Sequence, residues 1–152
     1  MRLLRLLSAL LLLLALSAGA LQAQDESVLV VGHAESTDSL DPARGYTQTT
    51  GIVNQVTYDT LVTFPDENAS SIEPRLATSW EISEDGLTYT FTLREGALFA
   101  NGDPVTAEDV VFSVERLRNV GGNPAFLTAN IASVTAIDDS TVAFTLVAAE
   151  PT

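Results

Sequence analysis

Hydrophobic and polar positions change their rhythm several times along the chain, and each change marks an element. Leu87, Tyr89, Phe91 and Leu93 alternate with Thr88, Thr90, Thr92 and Arg94. Period-two alternation of this kind, straight after the turn residues Ser83-Glu84-Asp85-Gly86, predicts a half-buried antiparallel hairpin strand. Ser79–Ile82 is the strand expected on the other side of that turn, reached through Glu73-Pro74-Arg75-Leu76-Ala77. A second hairpin is predicted where Val134–Ile137 and Thr141–Val147 flank Asp138-Asp139-Ser140, with Val142, Phe144 and Leu146 on one face.

Elsewhere the spacing is helical. Val110, Val111, Val114 and Leu117 recur at three to four residues, which predicts a helix running to about Arg118. Thr106 stands where a cap belongs, and Asp109 three residues on suits the positive end of a helix. Gly121-Gly122-Asn123-Pro124 should stop it. Ile52, Val53, Val56 and Tyr58 suggest a second helix over Thr49–Thr60, although its β-branched residues lower helix propensity. Short strands are expected at Val28–Val31 and Leu61–Phe64, with a turn at Pro65-Asp66-Glu67-Asn68 and another at Asn101-Gly102-Asp103-Pro104. Between Gly32 and Pro42 the chain is polar and turn-forming, which makes it a loop at the C-terminal end of the first strand.

The start of the chain follows another pattern. Arg2 and Arg5 precede the apolar run Leu6–Ala18, and small residues follow. This is the order of a secretory signal peptide, cleaved after Ala20 or after Ala23. Cleavage after Ala23, giving residues 1–23 as the signal, leaves the polar Gln24-Asp25-Glu26 at the mature start. The run is shorter than the roughly 20 residues a membrane span needs. With no cysteine at the cleavage site, a lipid anchor is not expected. The mature protein is therefore expected to be exported and soluble.

Charge then narrows the classes of partner. The 152 residues hold 20 acidic and 7 basic side chains, every basic one an arginine, for a net charge of −13. Removing the signal takes two arginines and no acid. So acidic a chain would be repelled by a nucleic acid, which is excluded as a partner. The absence of cysteine excludes disulfides, a thiol nucleophile and cysteine-ligated metal.

Candidate chemistry is sparse. The pairs Glu84/Asp85, Glu108/Asp109 and Asp138/Asp139 sit at turns or a helix start, where acids serve the backbone. No nucleophile–base order, HExxH or phosphate loop accompanies them, so an enzyme is not expected. His33 has no clustered partners and reads as a strand-end residue; no metal or cofactor is expected. Trp80 reads as packing for the sheet. Asn68-Ala69-Ser70 matches a glycosylation triplet that arises often by chance. Glu35, Ser36 and Thr37 are the candidate ligand-binding residues, because loops beyond strand C-termini are where α/β folds hold ligands. The other reading of these three is a solvated turn tying its own backbone.

The stretch Leu76-Ala77-Thr78-Ser79-Trp80-Glu81, then Asp85 through Gly96, then Asn101-Gly102-Asp103-Pro104-Val105-Thr106-Ala107-Glu108-Asp109-Val110-Val111-Phe112-Ser113, carries a resemblance. It is similar to the family 5 extracellular solute-binding proteins, the dipeptide-, oligopeptide- and nickel-binding components of ABC transporters. Leu40-Asp41-Pro42 and Tyr58-Asp59-Thr60-Leu61-Val62 fit in order and spacing. The resemblance implies an α/β, type II periplasmic-binding-protein-like fold, two-lobed in relatives several-fold longer than this chain. On it, residues 24–64 begin ligand-binding lobe I and residues 65–152 form a mixed α+β accessory domain, incomplete at its C-terminus. It also implies a small solute such as a peptide, an ABC permease in the inner membrane as partner, and a monomer. The main carboxylate that pairs with a peptide amino group in relatives has no counterpart in this stretch. The alternative function is a secreted sensing or interaction domain not coupled to transport.

Overall fold

Two hairpins form the centre of the protein. The computed structural model describes residues 30, 32, 34–65 and 71–150. The chain divides into two units, Met1–Gly32 and His33–Thr152, and the elements formed by the described residues belong to the second. Of the expected strand at Val28–Val31 only Val30 is described, and it is exposed and outside any strand. The signal segment, His33 and residues 66–68 of the expected turn lie outside the described residues.

Helix α1 (Gln48–Thr57) is followed by two-residue strands β1 (Val62–Thr63) and β2 (Glu73–Pro74), paired antiparallel. Strands β3 (Ala77–Ile82) and β4 (Thr88–Leu93) make the first hairpin, β5 (Ile131–Asp138) and β6 (Thr141–Leu146) the second. Helix α2 (Ala107–Val120) and a 3₁₀ segment (Asn123–Thr128) lie between them in sequence. The four long strands form one antiparallel sheet in the order β3-β4-β6-β5.

Local chemistry explains the turns. Asp85 accepts the Ser83 hydroxyl at 2.6 Å and the Leu87 amide at 3.0 Å, while Gly86 takes φ +69°. At the second hairpin Asp138 accepts the Ser140 amide and hydroxyl at 2.8 and 3.0 Å. The start of α2 is closed by Asp109, whose carboxylate accepts the Thr106 amide at 2.8 Å and its hydroxyl at 2.9 Å. Its end comes at Gly121, in the left-handed region at φ +61°, which only glycine enters without penalty.

Helix α1 is shorter than the expected Thr49–Thr60. Tyr58 still donates its amide to Asn54 but is extended, because the carbonyls of Thr60 and Leu61 must face outward to accept Leu76, Arg75 and Ala77. Ile52 and Val56 of its apolar pattern are exposed, and the buried residue is the polar Thr50. Helix α2 runs two residues past the expected Arg118, and the 3₁₀ segment has no counterpart in the spacing analysis.

The core sits between α2 and one face of the sheet. Leu76, Leu93, Ala97, Ala107, Val134 and Val142 are buried together, and Val110, Val111, Val114, Phe91 and Phe144 pack against them. Phe91 and Phe144 meet edge to face, ring centroids 5.5 Å apart, a favoured aromatic geometry. The Arg118 guanidinium donates to the Ile131 carbonyl at 2.8 Å, and the Ala107 amide to the Asp139 carbonyl, which pin both ends of α2 to the second hairpin. Trp80 lies opposite Phe91 in the register and so shares its face of the sheet.

Candidate functional site

Residues 34–45 form an irregular, largely exposed loop held by an unusual density of polar contacts. Asp38 is its hub. One carboxylate oxygen accepts the Ser39 amide (2.8 Å) and stands 2.9 Å from the Thr50 hydroxyl. The other accepts the Tyr46 amide (3.1 Å) and the Asn123 side-chain amide (3.2 Å). Thr50, 1% exposed, is surrounded by oxygens: the Ser39 carbonyl at 2.7 Å and the hydroxyls of Thr37 and Thr47 at 2.9 and 3.0 Å. Its one proton serves one of these oxygens at a time, and its bonds with the Thr37 and Thr47 hydroxyls can run in either direction.

Asp41 is the second anchor. Both its oxygens accept from the Arg116 guanidinium, each at 2.7 Å, and one also accepts the Ala43 amide at 3.0 Å. Its own carbonyl receives the amides of Arg44 and Gly45, both at 2.9 Å. Two glycines let backbones meet around this turn. A Cβ on Gly45 would stand 2.4 Å from the Ser39 carbonyl oxygen, and one on Gly122 would stand 2.4 Å from that of Ala43.

The candidate residues fall within this network to different degrees. The Glu35 carboxylate accepts the Gln48 amide at the start of α1 at 3.1 Å, and its carbonyl accepts the Thr49 hydroxyl at 3.0 Å. Thr37 reaches the Ser39 carbonyl at 3.1 Å as well as Thr50. Ser36 is exposed in the same loop. Spacing alone did not single out Asp38, Asp41, Arg116 or Asn123 as parts of this site. The motif Leu40-Asp41-Pro42 was the available signal for Asp41.

The hydrogen bonds set the carboxylates' acidity. The Tyr46 amide above all, with the Thr50 hydroxyl, the Asn123 amide and the Ser39 amide, draws Asp38 from 3.8 down to about 2, against an opposing effect of burial that is second in size only to the Tyr46 bond. The Arg116 fork, then the Ala43 amide, hold Asp41 well below the usual carboxylate range. Folded values below unfolded ones stabilise the protein above the unfolded pKa, and that stability is lost as pH falls through the folded one. The melting temperature should therefore start to fall near pH 4 and keep falling through about pH 2. Asp85 and Asp138 are lowered too and add to the fall. Thermal melts of Asp38→Asn should show a shallower acid slope; an unchanged slope would remove Asp38 from the account.

A larger concavity, about 1030 Å³, lies away from this loop. Tyr89, Phe91, Phe144 and Leu146 of the sheet and Val110 and Val114 of α2 line it. Several of these already pack on the buried cluster, so its wall is an uncovered flank of the core. The charged groups Asp59, Arg75 and Arg94 at its edge are engaged with one another, Asp59 accepting from both arginines at 3.1 Å. No group of three or more acids or histidines among the described residues is placed to hold a metal. No helix among them is long and apolar enough to cross a membrane.

Comparison with known proteins gives concordant results. Residues 71–152 match the family model described as bacterial extracellular solute-binding proteins, family 5 Middle. The probable D,D-dipeptide-binding periplasmic protein DdpA of Escherichia coli is 39% identical over 80% of this chain and 24% of its own. Among solved structures, the E. coli murein tripeptide binding protein MppA superposes with a TM-score of 0.68 at 32% identity, covering 76% of this chain and 26% of its own. The substrate-binding domain of an oligopeptide ABC transporter from Bacillus anthracis gives 0.69 at 31%, covering 76% and 25%. The chain thus spans about a quarter of the length of these relatives.

Proposed function

The chain belongs to the bacterial extracellular solute-binding proteins of family 5, with a fold that forms part of the type II periplasmic-binding-protein architecture, and from that premise we propose that it serves peptide capture for an ABC importer. The observation that carries this reading is the 39% identity over 80% of the chain to a protein named for binding a D,D-dipeptide. The murein tripeptide binder extends the same ligand chemistry to a second relative. In this reading the first 23 residues direct export and are removed, and the protein acts in the periplasm.

The loop that carries Glu35, Ser36 and Thr37 forms one edge of the solute cleft. Its chemistry suits a peptide: an acid for a cationic amino group, and hydroxyls for amide and carboxylate groups. Residues 65–152 provide the accessory domain on which that edge is mounted. No bond of the solute is made or broken. Closure of the binding lobes around the peptide would bury it, as hinged binding proteins do, and the closed form would be delivered to an inner-membrane permease.

Deletion of the gene from its native cells should sharply lower uptake of labelled dipeptides and tripeptides, with recovery when the gene is returned. Unchanged uptake of both would overturn the proposal.

A further inference from the structure

We propose that Asp41 and Arg116 are positioning residues, which fix the loop carrying Glu35, Ser36 and Thr37 against the four-stranded domain. The importance of that loop for solute rests on the function proposed above; the positioning does not depend on it.

Arg116 belongs to α2, a helix pinned to the second hairpin at both ends. It is a rigid support. From it the guanidinium reaches across 75 residues of sequence to both oxygens of Asp41. A two-pronged bond of this kind fixes orientation as well as distance, which a lysine ammonium cannot do. Asp41 in turn closes the turn through Ala43, Arg44 and Gly45 with three backbone amides.

The order is then passed on. Gly45 packs its backbone against Ser39 and Asp38 with no space for a side chain. Asp38 gathers Ser39, Tyr46 and Thr50, and Thr50 meets Thr37. Glu35 completes the path at the start of α1. Apolar support for the loop is slight, since Ala43 is its one buried hydrophobic residue between 34 and 45, and the Asn123 side chain adds a second, single-pronged polar tie through Asp38.

The exposure of the pair separates this role from general support. The side chains of Asp41 and Arg116 are 26% and 38% exposed, and ion pairs so placed add little to global stability. What they change is the freedom of a segment that few apolar contacts restrain, and such segments open locally without the core opening.

Amide hydrogen exchange on the whole chain tests this. In Arg116→Met, which keeps most of the apolar stem, amides of residues 36–48 should exchange about tenfold faster or more while those of β3 to β6 stay unchanged. Arg116→Lys should fall between wild type and Met, because it restores charge without the fork. Asp41→Asn combined with Arg116→Met should add little to either change alone, as expected of partners in one interaction. Equal acceleration in loop and sheet, or loss of folding in both Met and Lys variants, would make the pair a general support and overturn the proposal. No acceleration in the loop would overturn it too. Unchanged peptide uptake on gene deletion would sink the solute reading alone and leave this exchange pattern standing.

Discussion

Replacing Gly122 with alanine lowers the melting temperature by roughly 10 °C, the expected size for about 2–3 kcal/mol of overpacking in a domain of this length. Backbone preference cannot be the cause. Gly122 has φ −72° and ψ −175°, an extended geometry open to any residue. Alanine in such a place normally stabilises, because it restricts the unfolded chain. The loss comes from space. The new Cβ would stand 2.4 Å from the Ala43 carbonyl oxygen and 2.8 Å from the Arg44 Cα, both backbone atoms that no rotamer change can move. Its neighbour provides the control. Gly121 has open space around a built Cβ but φ +61°, so Gly121→Ala should cost only about 1 kcal/mol, from conformation alone. Thermal melts of the two variants side by side decide the matter. If Gly122→Ala is as stable as the parent, the close approach of α2's exit to residues 43–44 is wrong.

A larger loss is expected from Val142→Asp. Val142 is fully buried at the middle of the sheet, paired with Phe91 on one side and Ala136 on the other. A carboxyl group there has no cation to pair with. It would escape part of the penalty by taking up a proton, yet a buried polar group without hydrogen bonds still costs several kcal/mol. Whole domains are stable by only about 5–15 kcal/mol, so most molecules should be unfolded at 25 °C. Val142→Ala removes packing without adding polarity and should leave a folded protein weakened by about 1–3 kcal/mol. Far-ultraviolet circular dichroism and amide dispersion in NMR read both outcomes. A native spectrum from Val142→Asp would mean that the core lies elsewhere.

Legibility divides along the distance over which a residue acts. Leu87 to Leu93 could be read as a strand because alternation is a property of neighbours, and Asp85-Gly86 as a turn for the same reason. Thr106, Asp109 and Gly121 mark the ends of α2 by chemistry within one helical turn. What periodicity does not contain is which strand lies beside which. Nothing local places β6 next to β4, and nothing local brings Arg116 to Asp41. Asp38 and Asp41 also had a sufficient local reason to be where they are, since aspartate suits turns, and that concealed their distant partners. Thr50 was hidden differently. In an amphipathic pattern the buried face is expected to be apolar, yet the oxygens of Asp38, Ser39, Thr37 and Thr47 create a polar site that buries a threonine. Ile52 and Val56, which fit the pattern, are exposed.

The strand order β3-β4-β6-β5 has a consequence in time. Each hairpin can close on its own, but β4 can meet β6 only by drawing Arg94–Ser140 into one loop. Closing so long a loop costs about 2 kcal/mol more entropy than closing a tight hairpin. Because α2 docks on the second hairpin from inside that loop, it shortens the free chain and makes the late step easier. In synthesis from the N-terminus, the first hairpin exists before the second, with the edge of β4 unpaired and Phe91 exposed beside it. Open edges of this kind invite pairing between chains. The excess of acidic over basic residues, already present in the part of the chain up to the first hairpin, makes two such intermediates repel one another while each waits for its own sixth strand.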